Sequence, residues 1–244
     1  MNGSPVIAVT GLKAEARIAA GPRILTVSGG GDALGLARRL EAALASEASA
    51  IISFGVAGGL APGLASGTKL VARSVVAADG TRYYGDPVWS EQLSCALGGA
   101  AIVDIAGVDL PVGGPAERLA LHLKSGALAA DTESHVAARA AAAHKLPFAA
   151  FRVVADPAHR QLPHAALVAM KPDGSLALGA IAGSILRDPR QVPRLLLTAL
   201  DARAAFAALF RGRKMLAGPL GFTDFRELLL DLPAENVIGG PLQV

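Results

Sequence analysis

Aromatic residues are scarce in this 244-residue chain, at 4%, and charged residues reach only 18%, with a net charge of +3. A nucleic-acid surface built from basic side chains and stacking rings is therefore not expected. Cys95 is the only cysteine, which excludes an intramolecular disulfide framework and fits a reducing compartment. The most apolar region is interrupted by Lys171, Asp173, Arg187 and Pro189 before it reaches the ~18 uninterrupted residues that a membrane-spanning helix needs. The opening MNGSPVIAVTGLKAEAR runs straight into a strand-like segment, with no basic segment, long apolar core or small-residue cleavage site. A soluble cytoplasmic protein is the expectation.

Several catalytic signatures are also missing. There is no Walker loop, GxSxG elbow or HExxH helix. GGGDALG at Gly29–Gly35 lacks the spacing of a dinucleotide fingerprint, and Ser53-Phe54 stands where an acid for the adenosine ribose would end the next strand. His122, His135, His144, His159 and His164 show no zinc spacing, so neither metal nor cofactor is expected. His135 is noted because Glu133 is near it in sequence.

Hydrophobic residues are abundant at 52%, enough for a large core and for apolar surface left over, which suggests an oligomer interface, a greasy ligand, or both. Strand-like runs recur at Val6–Thr10, Ile24–Ser28, Ala50–Phe54, Lys69–Ala78, Val108–Val112, Gly126–Ala130 and Phe148–Ala155. Helix-like segments lie between several of them, at Ala33–Glu47, Pro115–Lys124 and Glu133–Lys145. This alternation predicts one α/β domain over 1–244, with a mostly parallel mixed central sheet flanked by helices.

Ligands of such sheets bind beyond the carboxyl ends of the strands. Glycines and acids gather there: Gly11 to Glu15, Ser28 to Gly31, Gly55 to Gly59, Asp131 to Glu133, and Asp156-Pro157. Any one glycine needs no more than a tight turn to explain it, but five such turns on one edge point to a site. Beyond Pro157, residues 158–188 read as an irregular helical excursion, Gln191–Phe210 as a helix, and 221–244 as a short helix, Asp224–Leu230, with a tail.

The stretch AADTESHVAARAAA, Ala129–Ala142, puts Asp131 and Glu133 at the start of an alanine-rich helix whose composition predicts burial. Helix capping and dipole complementation account for one acid there. They account less well for two.

SFGVAGGLAPGL, Ser53–Leu64, resembles the third-strand glycine motif of the purine nucleoside phosphorylase and nucleosidase superfamily. AADTESHVA is similar to that superfamily's ribose-binding motif, and FAAFRVVADPA, Phe148–Ala158, to its strand ending in a catalytic aspartate. The three occur in the family's order and at similar separations. The glycine-rich loop, DTESH and the long apolar C-terminal part most resemble the hopanoid-associated phosphorylases, thought to release adenine from adenosylhopane. The methylthioadenosine and adenosylhomocysteine nucleosidases are the nearest alternative.

The resemblance implies a nucleoside phosphorylase-like fold and cleavage of a purine N-glycosidic bond, with positive charge building on the ribose and negative charge on the base. It makes Asp156 the acid that protonates N7 and Glu133 the acceptor of the ribose hydroxyls. Asp131 is then left to cap or position the helix. Thr132 stands where many relatives carry methionine under the sugar, and Ala57 and Gly58 would bring backbone close to the nucleoside. Glu15 occupies the place of an arginine in the hexameric phosphorylases, which favours water over phosphate, with Glu15 as activating base or hydroxyl ligand. Ser28 and Gly29, in the run to Gly31, are an alternative oxyanion cradle for phosphate, to which Arg17, Arg38 and Arg73 could add charge.

The expected ligand is a purine nucleoside with an apolar 5′ group. Residues 158–188 would serve as its lid, as a homo-oligomer interface, or as a contact with the inner surface of a membrane. The competing class is a purine-nucleoside binding protein without turnover, which shares the fold but not the chemistry.

Overall fold

Uninterrupted apolar runs, rather than alternating ones, form the central strands. β1 (Val6–Thr10) is buried at every residue, and β3 (Ala50–Gly59) and β8 (Phe148–Asp156) at nearly every one, as expected of strands covered on both faces. The computed structural model describes residues 3–223, so the short helix expected at Asp224–Leu230 and the tail lie outside the described residues. The other strands are β2 (Ile24–Ser28), β4 (Lys69–Val76), β5 (Arg82–Tyr84), β6 (Ala101–Gly107) and β7 (Ala129–Asp131).

β2 and β1 join β3 in parallel, and β5 is an antiparallel edge on β4. The remaining strands close on themselves: β3 pairs β8, β8 pairs β4, β4 pairs β6, β6 pairs β7, and β7 returns to β3. β3 can belong to both arms because it is long: its first half pairs β1, and Gly58 and Gly59 reach Ala130 and Ala129 of β7. The carboxyl ends of β3, β7 and β8 are thereby drawn together.

Along β1, Ile7 and Val9 face one core and Val6 and Ala8 the other. The first core is closed by α2 (Ala33–Leu44) and α5 (Ser134–His144), through Leu36, Leu40, Val136 and Ala137. The second is closed by α1 (Lys13–Ala19), α3 (Pro87–Ala96) and α8 (Val192–Met215), through Ala19, Trp89, Leu93 and Leu209 packed near Phe54 and Phe151. α4 (Pro115–Ser125) flanks β6 and β7 in sequence. Residues 158–188 contain α6 (His164–Leu167), a bridge between Met170 and Leu176, and α7 (Leu178–Arg187).

The α/β class with a mixed sheet is as expected, but three local expectations are corrected. The strand near Val108–Val112 lies upstream, at Ala101–Gly107; Asp104 in that run hides its strand character because its carboxylate is buried on Arg73, Ser74 and Arg82. Pro111 cannot donate to a ladder, and Val108–Val112 is irregular. Gly55–Gly59 is not a turn but the second half of β3. α1 and α3 were not expected; α3 is announced only by its cap, Asp86 Oδ1 accepting from Trp89 N at 2.9 Å, and by Pro87 in its first turn.

Leu209 is fully buried and holds α8 to the sheet, whereas Leu200, one helix segment earlier, is 61% exposed. Leu209→Ala is expected to lower stability by about 2–4 kcal/mol in urea unfolding, and Leu200→Ala by less than about 0.5 kcal/mol.

Candidate active site

The apolar ends of β3, β7 and β8 carry an unusual density of buried charge. Arg152, in the middle of β8, is fully buried. Its Nη2 lies 3.0 Å from Asp131 Oδ1 and 3.5 Å from Glu133 Oε2; it also donates to Ser53 Oγ, while Nη1 donates to the Val56 carbonyl at 3.2 Å. A guanidinium without water must meet its partners in the protein, and here they come from β3, β7 and the start of α5.

Asp131 does position α5. Its Oδ1 accepts from the backbone N–H of Glu133 at 2.9 Å and of Ser134 at 2.6 Å, and its Oδ2 accepts from Ser134 Oγ at 2.6 Å. This leaves Glu133 free of the helix start. Thr132 Oγ1 donates to Glu133 Oε1. Glu15, one turn into α1, is buried beside them: Oε2 accepts from Gly11 N at 2.8 Å and Leu12 N at 2.7 Å, and Oε1 from Val56 N at 2.7 Å. Two glycines make the room. A Cβ on Gly55 would fall 2.5 Å from Glu15 Oε1 and 2.8 Å from Arg152 Nη1, and one on Gly11 would fall 2.9 Å from Glu133 Oε1.

Glu15, Asp131 and Glu133 thus share one fully buried cation. Full ionisation would leave excess negative charge in a dry site, and protonation relieves it. Burial pushes the Glu133 carboxyl up to about 7, with Arg152 opposing and Asp131 and Glu15 adding to the rise. Burial likewise raises Glu15, against Arg152 and its three backbone donors.

Asp156 is placed by a different device. β3 and β8 run in register to Ala57 opposite Val154, then skip Ala155, so that Asp156 stands opposite Gly58. Such a bulge re-aims the side chain that follows it. Asp156 meets Arg118, a buried residue of α4 whose Nε is held by the Val112 carbonyl at 3.0 Å and whose Nη1 is held by the Pro157 carbonyl at 3.0 Å. The contact is an ion pair between Arg118 Nη2 and Asp156 Oδ2. Burial raises the Asp156 carboxyl above the ordinary carboxylate range, with Arg118 opposing.

These groups line one cavity, whose empty space, open mouth included, is about 670 Å³. Glu15, Ala57, Gly58, Thr132, Glu133 and Asp156 all face it. Ser28 and Gly29 do not: the N–H groups of Gly29 and Gly30 are spent on the Thr10 and Gly11 carbonyls at 2.6 and 2.9 Å, and Ser28 Oγ lies 3.1 Å from Thr10 Oγ1. The cradle expected there is closed in on itself. Arg17 and Arg38 are exposed and Arg73 is paired with Asp104, so none of the three reaches the cavity. His135 turns away as well, its Nε2 3.1 Å from Asp109 Oδ1.

Sequence reasoning missed Arg118 altogether. Arg152, four residues before Asp156 in sequence, serves the other acids, and Arg118 is the cation that meets Asp156. Arg118 carries no motif; its one signal is an arginine amid the apolar alternation of α4. The roof also went unassigned in detail. Leu162 and Met170 cover the cavity, and the turn beyond them is tied to the first loop by Lys13 N donating to the Gly174 carbonyl at 2.9 Å and by a 2.7 Å Lys13–Asp173 ion pair.

Between the unfolded pKa of 4.5 and about 7, the folded chain holds more of the Glu133 proton than the unfolded chain does, so this group's contribution to stability falls as pH rises through that window. Glu133→Gln, which mimics the protonated acid, is expected to raise the thermal midpoint by a few degrees at pH 8 and to change it little near pH 5. Differential scanning calorimetry at the two pH values checks the sign.

A profile described as the phosphorylase superfamily matches residues 11–187. No curated protein sequence matches the chain. Among solved structures, the S-adenosylhomocysteine nucleosidase of Streptococcus pyogenes, in complex with 5-methylthiotubericidin, has 19% identity and a TM-score of 0.56, over 82% of this chain and 98% of that one. The 5′-methylthioadenosine/S-adenosylhomocysteine nucleosidase of Campylobacter jejuni has 15% identity and a TM-score of 0.57, over 87% and 98%. The futalosine hydrolase of Helicobacter pylori has 12% identity and a TM-score of 0.57, over 86% and 97%. At these identities the likeness is one of fold.

Proposed function

Because the chain belongs to the phosphorylase superfamily, we propose that it cleaves the N-glycosidic bond of a purine nucleoside, with water as the nucleophile. The observation that carries this reading is that Glu15, Glu133 and Asp156, far apart in sequence, line one cavity. The nucleosidases that share the fold act on such bonds, as their names state.

The residues divide the chemistry. Asp156, with its raised pKa, gives its proton to N7 as the bond between C1′ and N9 breaks and the electron pair passes to the purine. Glu133 accepts hydrogen bonds from the ribose hydroxyls and sets negative charge against the oxocarbenium-like sugar. Glu15 takes a proton from the water that attacks C1′. Ala57 and Gly58 allow the sugar and base to lie close to β3.

Water is favoured over phosphate on electrostatic grounds. The backbone N–H groups of Gly11, Leu12 and Val56, which together make an anion nest, already hold the Glu15 carboxylate. The cavity wall carries Glu15, Asp131, Glu133 and Asp156 against Arg118, with Arg152 behind it. A phosphate dianion would find both cations already paired, Arg118 with Asp156 and Arg152 with Asp131.

For the 5′ group, the roof residues Leu162 and Met170, with Pro111 and Val112, offer an apolar wall and no charged partner. This suits an apolar 5′ substituent such as that of adenosylhopane. A small thioether is the second reading, favoured by the methylthio ligand in the related S. pyogenes nucleosidase.

Free-adenine release from nucleosides with 5′ groups of increasing length, with and without phosphate, is the deciding assay. Adenine and free ribose products are expected at equal rates in both buffers, and ribose 1-phosphate would overturn the choice of water. Asp156→Asn is expected to slow release by roughly 10²–10⁴-fold while nucleoside still binds by calorimetry. Intact nucleoside throughout, with binding retained in the wild type, would leave a binding protein in place of an enzyme.

A further inference from the structure

α7, LGAIAGSILR, leaves leucines in water. Its one buried residue is the polar one, Ser184, which lies 3.0 Å from His164 Nδ1 and accepts from Gln191 Nε2 at 3.0 Å on its hydroxyl and 2.7 Å on its carbonyl. Ile181 and Ile185 are half-buried beside it, but Leu178 and Leu186 face outward at 69% and 83% exposure, following Leu176 at 57%. The chain then turns through Pro189–Gln191 into the first half of α8, where Leu196 and Leu200 are each 61% exposed. Leucines exposed on two successive helices make an apolar surface of the kind that marks a contact with something apolar.

Charge beside it identifies the partner. Arg187, Arg190 and Arg194 line one cleft with His164, and none has an ion-pair partner among the described residues. The one acid in that lining, Asp188, gives its carboxylate to the Arg190 backbone N–H at 3.1 Å. Apolar residues next to an unneutralised arginine cluster match the boundary of an anionic bilayer, where acyl chains take the leucines and phosphate headgroups take the guanidinium groups. The core of a subunit interface is depleted in charge and would leave the arginines unpaired at its edge. No helix among the described residues is long and apolar enough to cross a membrane, so the contact would be peripheral.

We propose that α7, the first half of α8 and their arginine cleft form a docking surface for an anionic lipid bilayer. The proposal is independent of the reaction assigned to the cavity, since none of the leucines or arginines it uses lines that cavity. The roof carrying Leu162 and Met170 is continuous in chain with α7, so docking would set the cavity mouth close to the lipid.

The test is co-sedimentation of the full chain with vesicles of phosphatidylcholine and phosphatidylglycerol, compared with phosphatidylcholine alone. Binding is expected only with phosphatidylglycerol and is expected to weaken as salt rises. Replacing Arg187, Arg190 and Arg194 by Gln should weaken it on the order of 100-fold, and Leu178→Asn with Leu186→Asn at least roughly tenfold. Both variants should keep the wild-type thermal midpoint, because the altered side chains are exposed. The proposal fails if the wild type ignores both vesicles, binds them equally, or keeps its affinity when the leucines are changed. If the leucine variant instead converts an oligomer into a smaller species in analytical ultracentrifugation and the wild type ignores vesicles, a second copy of the chain covers the face.

Discussion

Burial of the Arg152 guanidinium is the constraint on which the rest of the site depends. Arg152 belongs to β8, which pairs β3 on one side and β4 on the other, so it cannot reach water. A buried cation without partners would cost several kcal/mol, and every element around it supplies one: Ser53 and Val56 from β3, Asp131 from β7, Ser134 and Glu133 at the start of α5. The same bonds that satisfy the arginine fix the angle at which α5 leaves the sheet. The position of Glu133 is therefore a consequence of core electrostatics and not of a loop's own preference. Because Glu15, Asp131 and Glu133 exceed the charge of one guanidinium, protons must be held there near neutral pH, which is the condition general acid–base chemistry needs.

Asp156 is kept out of this arrangement. The bulge at Ala155 turns it toward the cavity, away from Arg152, and gives it a separate cation on a separate helix. Two acids in one network would titrate as a pair; with two networks, the group that gives up a proton and the groups that accept one are set by different surroundings. The closed ring of β3, β8, β4, β6 and β7 makes this possible, because it holds the ends of β3, β7 and β8 around one cavity while leaving α4 room to present Arg118 from the far side.

The parts of this structure legible in the sequence are those written locally. The fully apolar runs of β1, β3 and β8 show burial on both faces, and Asp131 followed by Ser134 shows a helix start. The acids of the cavity were legible because each follows a strand or opens a helix. What stayed hidden depends on tertiary pairing. Asp104 makes β6 look too polar for a strand until Arg73 and Arg82 are seen beside it. Arg118 looks like one more solvated helix charge until Asp156 arrives from β8. Ser28 and Gly29 have the composition of an anion cradle, but the donors are consumed by Thr10 and Gly11, a pairing no spacing rule reveals.

The roof and the floor of the cavity are held by interactions of very different strength. Below, the acids and Arg152 are bonded through buried groups in the strands, where breaking one contact leaves a charge without water. Above, residues 158–188 are tied to the first loop by one backbone hydrogen bond and by the Lys13–Asp173 pair, whose side chains are each about half exposed, and to the rest of the chain by Leu162 N donating to the Gly113 carbonyl at 3.0 Å and by the Arg160–Asp201 pair at 2.7 Å. An exposed pair contributes roughly 0–1 kcal/mol, and α7 buries only Ser184. None of these ties involves Glu133 or Asp156, whose placement is set by the floor. The proposed apolar 5′ substituent calls for this division, a preorganised floor that keeps the acids in register beneath an apolar roof, and the leucines that α7 leaves in water belong to the other side of that roof.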